Sequence, residues 1–201
     1  MGATSGPAQP IFFYDLGSPS CYLVAEQILS ELPIVPEWEP VLARAVGPAH
    51  ELERVELERR AAELGLQRLR WPARWPPDSD TAMLAATYAK RVGRAVAFSL
   101  AAFRQAFAGG RDLDDEDTVL IAAAACEMHP TAVLKGIGLR SVAQALQSAA
   151  RRALDGGVRT LPAIQIGAEV FEGEQGVAQA ASALAMLGDA TISADRANAN
   201  R

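Results

Sequence analysis

The chain has 201 residues, half of them hydrophobic and 21% charged, with a formal net charge of −5 at pH 7. This length favours one domain whose core needs no disulfide, and the composition excludes a wholly disordered protein. Because an acidic chain without a basic stripe cannot neutralise phosphates, we expect no nucleic-acid partner.

The first ten residues, MGATSGPAQP, have neither the basic start nor the apolar stretch of a secretory signal. The longest apolar runs fall short of the roughly 20 residues that cross a bilayer, so we expect no membrane association. These features favour a cytoplasmic protein. In that reducing compartment, Cys21 and Cys126 are expected to stay as separate thiols.

The beginning of the chain has the pattern strand, helix, strand. Residues 11–15 (IFFYD) are an apolar and aromatic run that is typical of a buried strand. Ser18 followed by Pro19 is a helix-start signal, and the helical spacing of apolar residues lasts to about Leu32. Residues 34–42 (IVPEWEPVL) are a second strand, which two prolines place at an edge or make irregular.

The middle of the chain is predicted to be helical, because its segments are amphipathic or rich in alanine. The predicted helices cover residues 51–64, residues 81–107 as one long or two short helices, a segment capped by Asp114 or Asp115 that ends near Cys126, a short segment that starts at His129, and residues 141–154. A loop rich in Pro and Trp, residues 68–80, interrupts this series.

The end of the chain returns to strands. The predicted elements are a strand that begins at a proline (161–166), a tight turn (167–168), a second hairpin strand (169–171), a closing helix (176–187) and a frayed tail (189–201). A four-stranded sheet covered by helices buries both ends of the chain together, and it places Ser18 near Pro162.

Two short segments could carry chemistry. Ser18-Pro19-Ser20-Cys21 opens a helix, whose first turn has unpaired N–H groups that stabilise an anion such as a thiolate. A plain serine cap is the alternative at this position. Leu161-Pro162 opens an apolar strand with a residue that cannot donate to the sheet, and a cis peptide bond there is one explanation.

These two segments resemble one known family when they are taken together. FFYDLGSPSCYLVAEQI resembles the opening of the DsbA-type branch of the thioredoxin superfamily, and GVRTLPAIQIGAEVFEGEQG resembles its cis-proline strand, hairpin and glycine turn. The chain is most similar to the 2-hydroxychromene-2-carboxylate isomerases and kappa-class glutathione transferases, over about residues 11–187. The loop WPARWPP and the Ala-rich block behind it match their helical insertion.

The resemblance implies an α/β, thioredoxin-like fold (β-α-β … β-β-α) with a large all-helical insertion. The thioredoxin-like domain would comprise residues 11–45 and 156–188, the insertion residues 46–155, and the flexible tails residues 1–10 and 189–201. The family also implies a homodimer.

The resemblance also implies site residues. Ser18 stands where the family places the serine that activates a glutathione thiol, and Cys21 stands at the second cysteine of the disulfide oxidoreductases. Pro162 matches the cis-proline, and Leu161 the residue whose backbone pairs with the thiol ligand. The remaining implied lining residues are Pro19, Ser20, Tyr22, Trp75, Asp78, Gly173, Glu174 and Gln175.

Three departures leave the identity of the thiol open. Asp78 stands where the isomerases often carry Asn, and the stretch Gly173-Glu174-Gln175-Gly176 lacks the family's arginine. No lysine follows residues 40–42 to meet a glutathione carboxylate. The cofactor is therefore expected to be glutathione or another low-molecular-weight thiol, with no metal, and the partner a small-molecule substrate.

The expected function is a thiol-dependent isomerase or transferase that acts on a small aromatic-derived electrophile. The alternatives are a non-catalytic binding or scaffold protein and a thiol-disulfide oxidoreductase that uses Cys21. Asp15 could tune the site or be a plain turn acid, and Trp71 and Trp75 could wall a cleft or pin the insertion to the sheet. His50 and His129 are expected in surface or capping roles, and Cys126 in packing.

Overall fold

The structure is a computed structural model that describes residues 9–47 and 53–199, with side chains as far as residue 188. Its four strands are β1 (Ile11–Tyr14), β2 (Glu37–Pro40), β3 (Ala163–Ile166) and β4 (Glu169–Glu172). They form one sheet in the order β2-β1-β3-β4, in which β1 and β2 are parallel and the other pairs antiparallel. The sheet joins both ends of the chain, as predicted.

The helices are α1 (Pro19–Glu31), α2 (Ala43–Val46), α3 (Arg54–Glu63), α4 (Asp80–Arg91), α5 (Ala95–Phe107), α6 (Glu116–Ala125), α7 (Pro130–Ile137), α8 (Arg140–Asp155) and α9 (Gly176–Ala199). Helices α2 to α8 lie between β2 and β3 in sequence, which agrees with the expected α/β fold with a helical insertion. The exact domain limits stay predictions.

The central strand β1 is buried on both faces. Phe12, Phe13 and Tyr14 are each at most 2% exposed. The rings of Phe12 and Tyr14 lie 5.0 and 5.4 Å from the ring of Trp38 on the neighbouring strand β2. This aromatic cluster fixes the position of β1, and therefore of the turn that follows it.

Several element bounds differ from those predicted. β2 is shorter than residues 34–42 but lies at the sheet edge, where a proline costs no ladder bond. The segment 81–107 divides into α4 and α5 at Gly93, whose φ of 73° no helix accommodates. Helix α2 was not predicted. No helix of the described residues is long and apolar enough to cross a membrane.

The end of the chain departs most from the prediction. A closing helix that ends at residue 187 and a frayed tail were expected, whereas α9 continues to Ala199. Alanine recurs four times in residues 189–199, and its high helix propensity outweighs the small polar residues between. His50, for which a surface or capping role was predicted, lies outside the described residues.

Candidate active site

The N-terminus of α1 carries the predicted serine cap. Ser18 has extended backbone angles, and its Oγ accepts a hydrogen bond from the backbone N–H of Cys21 at 3.2 Å. Its own N–H donates to the carbonyl of Asp15 at 3.1 Å. Pro19 occupies the first helical position, where its missing N–H costs nothing. Only 4% of Ser18 is exposed.

Asp15 holds three segments around Ser18. Its Oδ1 accepts from the N–H of Gly17 at 2.8 Å and from the hydroxyl of Ser79 at 2.7 Å. Its Oδ2 accepts from the N–H of Ala43 at 2.8 Å. Burial raises the pKa of this carboxyl, against the lowering effect of the three donors. Asp15 therefore ties the turn after β1 to α2 and to the loop before α4.

Sequence reasoning left the role of Asp15 open and missed Ser79. Ser79 follows the Pro-rich loop and looks like an ordinary cap for α4, but its side chain makes no capping bond there. The two residues are 64 positions apart, so no local pattern could have paired them. The tight contact explains Gly17, because a Cβ there would meet the Ser79 Cβ at 3.2 Å.

A cleft of about 810 Å³ opens beside Ser18, and we call it the Ser18 cleft. It contains two further predicted site residues, Trp75 and Asp78. Its described lining residues are Asp15, Gly17, Ser18, Ala43, Arg44, Gly47, Trp75, Pro76, Pro77, Asp78, Ser79 and Asp80. The loop 68–80 therefore forms one wall of the site, although the sequence alone could only suggest it.

A smaller cleft of about 270 Å³ lies at the Leu161–Pro162 bond, which is cis, and we call it the Pro162 cleft. It brings together six predicted site residues. These are Ser20, Leu161, Pro162, Gly173, Glu174 and Gln175. Arg60, Thr160 and Glu172 complete the described lining. Since Ser18 and Ser20 belong to the same helical start, the first turn of α1 separates the two clefts.

Two charged residues of the Pro162 cleft escaped sequence reasoning. The Nε of Arg60, on α3, lies 3.8 Å from Oε2 of Glu174 and brings a cation to the cleft from the helical insertion. Glu172 Oε1 accepts from the backbone N–H groups of Arg159 and Thr160 at 2.5 and 2.9 Å. Glu172 thus orders the loop that enters Pro162.

Three predicted site residues lie in the interior instead. Cys21 is fully buried in the hydrophobic core, and Pro19 is buried beside it in sequence. Tyr22 packs its ring 5.6 Å from that of Phe107, and burial raises its pKa to about 12. Cys21 and Tyr22 therefore belong to the core, whereas Ser18 and Ser20 each border one of the two clefts.

Trp75 walls a cleft, which was one of the two roles considered for the pair, whereas the ring, guanidinium and hydrogen-bond contacts of the two indoles lie within the helical insertion. Their rings make an edge contact at 5.0 Å, and the guanidinium of Arg54 lies 4.8 and 4.9 Å from the two ring centres. The indole N–H of Trp71 donates to Glu58 at 2.8 Å. The pair is therefore anchored to α3, while Trp75 also walls the Ser18 cleft.

The remaining cysteine and histidine have structural roles. Cys21 and Cys126 are both buried and form no disulfide. The thiol of Cys126 contacts the carbonyls of Ala122 and Ala123 inside the helical block, and burial raises its pKa. His129 caps α7 by accepting from the N–H of Thr131 at 3.2 Å. Within the described residues, no group of His, Cys, Asp and Glu could hold a metal ion.

Comparison with known proteins agrees with this architecture. The model of the DSBA-like thioredoxin domain matches residues 11–185. A 2-hydroxychromene-2-carboxylate isomerase structure is 20% identical, with a TM-score of 0.72 over 96% of this chain and 98% of that one. A probable DsbA oxidoreductase from Streptomyces coelicolor is 18% identical, with a TM-score of 0.72 over 90% of each chain.

A more distant structure was determined with GSH. It is the cytosolic disulfide reductase DsbM from Pseudomonas aeruginosa, which is 13% identical, with a TM-score of 0.64 over 90% of this chain and 98% of that one. Comparison with curated proteins gives no significant match. At these identities the solved structures support the fold, and the family model covers most of the chain. The chain therefore belongs to the family of DSBA-like thioredoxin domains.

Proposed function

We propose that the chain is an isomerase or transferase that uses a low-molecular-weight thiol of the glutathione type and acts on a small aromatic-derived electrophile. The observation that carries the proposal is the position of Ser18. Its hydroxyl caps α1 at the edge of the larger cleft, and Ser20, two residues later in the same turn, lines the Pro162 cleft. A thiol ligand held in the smaller cleft with its sulfur reaching Ser18 would meet an electrophile in the larger one.

The start of α1 is chemically suited to a thiolate. N–H groups in the first helical turn and the positive end of the helix dipole favour an anion. Because Ser18 Oγ accepts from the N–H of Cys21, its own proton remains available to donate to a ligand sulfur. A hydrogen bond to a charged partner contributes about 1.5–3 kcal/mol, so a bound thiol would lose its proton more readily than in water.

The reaction follows from the nucleophilicity of sulfur. The thiolate electron pair forms a C–S bond to an electrophilic carbon, and the displaced π electrons move into the conjugated system. For isomerisation, rotation about the former double bond precedes return of those electrons, which breaks the C–S bond and releases the thiolate unchanged. For conjugation, the carbanion takes a proton from water and the thioether is retained.

The Pro162 cleft offers groups for the two ends of such a ligand. Arg60 contacts Glu56 at 3.3 Å and lies 3.8 Å from Glu174, so a ligand carboxylate would share this guanidinium with them, and Glu174 supplies an anion that could meet an ammonium group. This arrangement supports glutathione or a related thiol although the expected lysine is missing. The homodimer and the cytoplasmic location stay predictions.

Titration with glutathione and S-methylglutathione tests the proposal. Both ligands carry the same carboxylates and ammonium group, but only glutathione can form a thiolate. We expect glutathione to bind more tightly and to raise the melting temperature, with a bound-thiol pKa below its ordinary value of about 8.5. Ultraviolet absorbance of the thiolate measures that pKa, and Ser18→Ala should return it towards the ordinary value.

Two results would contradict the proposal in different directions. Failure of either thiol to bind would favour a non-catalytic binding protein. Catalysed reduction of a protein disulfide, lost in Cys21→Ala, would favour the oxidoreductase alternative. The complete burial of Cys21 opposes that second outcome, because disulfide exchange needs an accessible attacking thiolate.

A further inference from the structure

We propose that the Ser18 cleft selects a planar aromatic electrophile that is uncharged or cationic, and that it discriminates against an aromatic carboxylate. The inference rests on the proposed function, because it concerns the second substrate of the same site. It is carried by the shape of the cleft and by the balance of charges on its walls.

The shape of the cleft suits a flat apolar ligand. Its volume of about 810 Å³ falls within the roughly 300–1,000 Å³ typical of small-molecule sites. Pro76 and Pro77 follow Trp75 along one wall, and Ala43 lies on another. The Trp75 side chain is held by its edge contact with Trp71 and by the guanidinium of Arg54. A restrained indole offers a stacking surface at little cost in side-chain entropy.

The charged groups on the described lining are mostly carboxylates. Asp15, Asp78 and Asp80 face one cation, Arg44. The two terminal nitrogens of Arg44 bind the two carboxylate oxygens of Asp80 at 2.5 and 2.7 Å. This bidentate pair occupies the edge of the guanidinium formed by its two terminal nitrogens, and the charge of Arg44 is thereby matched by Asp80 before a ligand arrives. The pKa of Arg44 is raised first by that bond and further by Asp15 and Asp78.

Two other arginines near the loop have partners elsewhere. Arg54 lies against the rings of Trp71 and Trp75, and Arg74 is ion-paired with Asp114. Neither belongs to the described lining of the cleft. A carboxylate in the ligand would therefore approach like charges, and such juxtaposition is penalised most where water is partly excluded.

This preference separates the chain from one of the proteins that it resembles in fold. The 2-hydroxychromene-2-carboxylate isomerase is named for a substrate that carries a carboxylate. Because Asp80 and Arg44 pair with each other, Asp78 and the buried Asp15 decide the charge of the described walls, and the Ser18 cleft fits such an anion poorly. An ester, amide, ketone or amine-bearing aromatic electrophile fits it better.

A charge series of nearly equal shape tests the inference on the complete chain. 2-Naphthoate, 2-naphthamide and 2-naphthamidine are anionic, neutral and cationic, and their binding can be followed by tryptophan fluorescence and calorimetry. We expect the amide and the amidine to bind at least about tenfold more tightly than the naphthoate at low salt. This difference in affinity should decrease as added salt screens the carboxylates. Naphthoate that binds as well as the amide, or no binding by any of the three, would overturn the inference.

A matched pair of variants identifies the charges responsible. Asp78 Oδ1 accepts from the N–H of Asp80 at 3.0 Å, and Asp78→Asn keeps that acceptor while removing one charge. Glu31→Gln is the control, because it removes one charge at the other end of α1, about 18 Å along the helix axis from Pro19. Asp78→Asn should strengthen naphthoate binding about 3- to 10-fold and leave the amide unchanged, and Glu31→Gln should change neither. If Asp78→Asn left the ratio of the naphthoate affinity to the amide affinity unchanged, the inference would be contradicted.

Failure of the inference can be told apart from failure of the proposed function. The naphthyl series contains no thiol and reports on the Ser18 cleft alone, whereas glutathione titration reports on the thiol. Thiol binding with no preference in the charge series would reject only the substrate class. A clear charge preference with no thiol binding would reject only the thiol chemistry.

Discussion

At the scale of single residues, the candidate site depends on one hydroxyl and one buried carboxyl. Ser18 caps α1 and borders the larger cleft, and Asp15 ties the turn that carries Ser18 to Ala43 and Ser79. The hydroxyl is proposed to act on a ligand, whereas the carboxyl acts by holding the chain around it. The two roles lead to different expectations for substitution.

Ser18→Ala is expected to lower thiol-dependent kcat/KM by about 10- to 100-fold. This loss corresponds to about 1.4–2.7 kcal/mol of transition-state stabilisation, the range of a hydrogen bond to a charged group. Cys21→Ala should have a much smaller effect, because that side chain is buried in the core. Initial rates with a conjugated aromatic electrophile measure both variants. Equal losses would assign the chemistry to Cys21.

Asp15 is expected to make stability depend on pH. Because burial raises its pKa above that of the unfolded chain, the folded state binds the proton more tightly. The contribution of Asp15 is therefore fully present below the unfolded pKa of about 4 and is lost as pH rises through the folded value. In urea titrations, the stability of the wild type relative to Asp15→Asn should fall as pH rises. A difference that grows with pH would contradict the assignment.

At the scale of secondary-structure elements, one contact between helices and one helix end show where the backbone constrains the sequence. Helix α7 approaches α4 so closely that a side chain at Gly136 would press on the ring of Tyr88. Helix α6 ends in a Schellman motif, in which Met128 N–H bonds to the carbonyl of Ala123 and Glu127 N–H to that of Ala124. In that motif Glu127 has a φ of 61°, a conformation that favours glycine.

Gly136→Ala is expected to destabilise the fold by about 1–3 kcal/mol. A Cβ there would lie 2.5 Å from ring carbons of Tyr88, and overpacking of this kind costs more than the helix propensity that alanine gains. Gly138→Ala is the matched control, since its nearest atoms would be 3.6 Å away. Equilibrium unfolding in urea measures both. Equal stability of the two variants would mean that the α4–α7 contact adjusts without cost.

Glu127→Gly is expected to stabilise the fold by about 0.5–1 kcal/mol. Glycine removes a left-handed penalty of roughly 1–2 kcal/mol but loses more entropy on folding. The ion pair of Glu127 with Arg94 is exposed and contributes little. Glu127→Ala removes the same ion pair and keeps the Cβ, so it should give no stabilisation. A rise in melting temperature for both variants would assign the effect to the charge.

At the scale of the whole molecule, buried charge joins the sheet edge to the helical insertion. Glu39 on β2 is 7% exposed. It contacts the ammonium group of Lys90 on α4 at 2.6 Å and the guanidinium of Arg152 on α8 at 2.8 Å. Lys90 also contacts Glu37 at 2.7 Å. One carboxylate of the edge strand thus holds two helices that lie over it.

Glu39→Gln is expected to destabilise the protein by about 1–2 kcal/mol, more than Glu37→Gln does. Loss of one member of a fully buried pair costs about 3–5 kcal/mol, but here Arg152 is largely exposed and Lys90 keeps its contact with Glu37. Glu37 is half exposed, so its substitution should cost at most about 1 kcal/mol. Chemical unfolding measures both variants. A larger loss for Glu37→Gln would refute this account.

The sequence by itself determined the elements with strong local signals. Ser18 and Pro19 predicted the start of α1, and the aromatic run predicted β1. The prolines predicted an edge position for β2, and Gly167 predicted the hairpin turn. Each signal depends on backbone angles or periodicity within a few residues. The same two ends of the chain indicated the family.

Only the tertiary structure decided which side chains face the clefts and which lie in the core. It turned Cys21 and Tyr22 inward, brought Arg60 to the Pro162 cleft, and joined Ser79 to Asp15 across 64 positions. It also placed Asp15, Asp78 and Asp80 around one arginine. These relations depend on how the helical insertion packs against the sheet. Since contacts between distant segments leave no local pattern, the sequence could not reveal them.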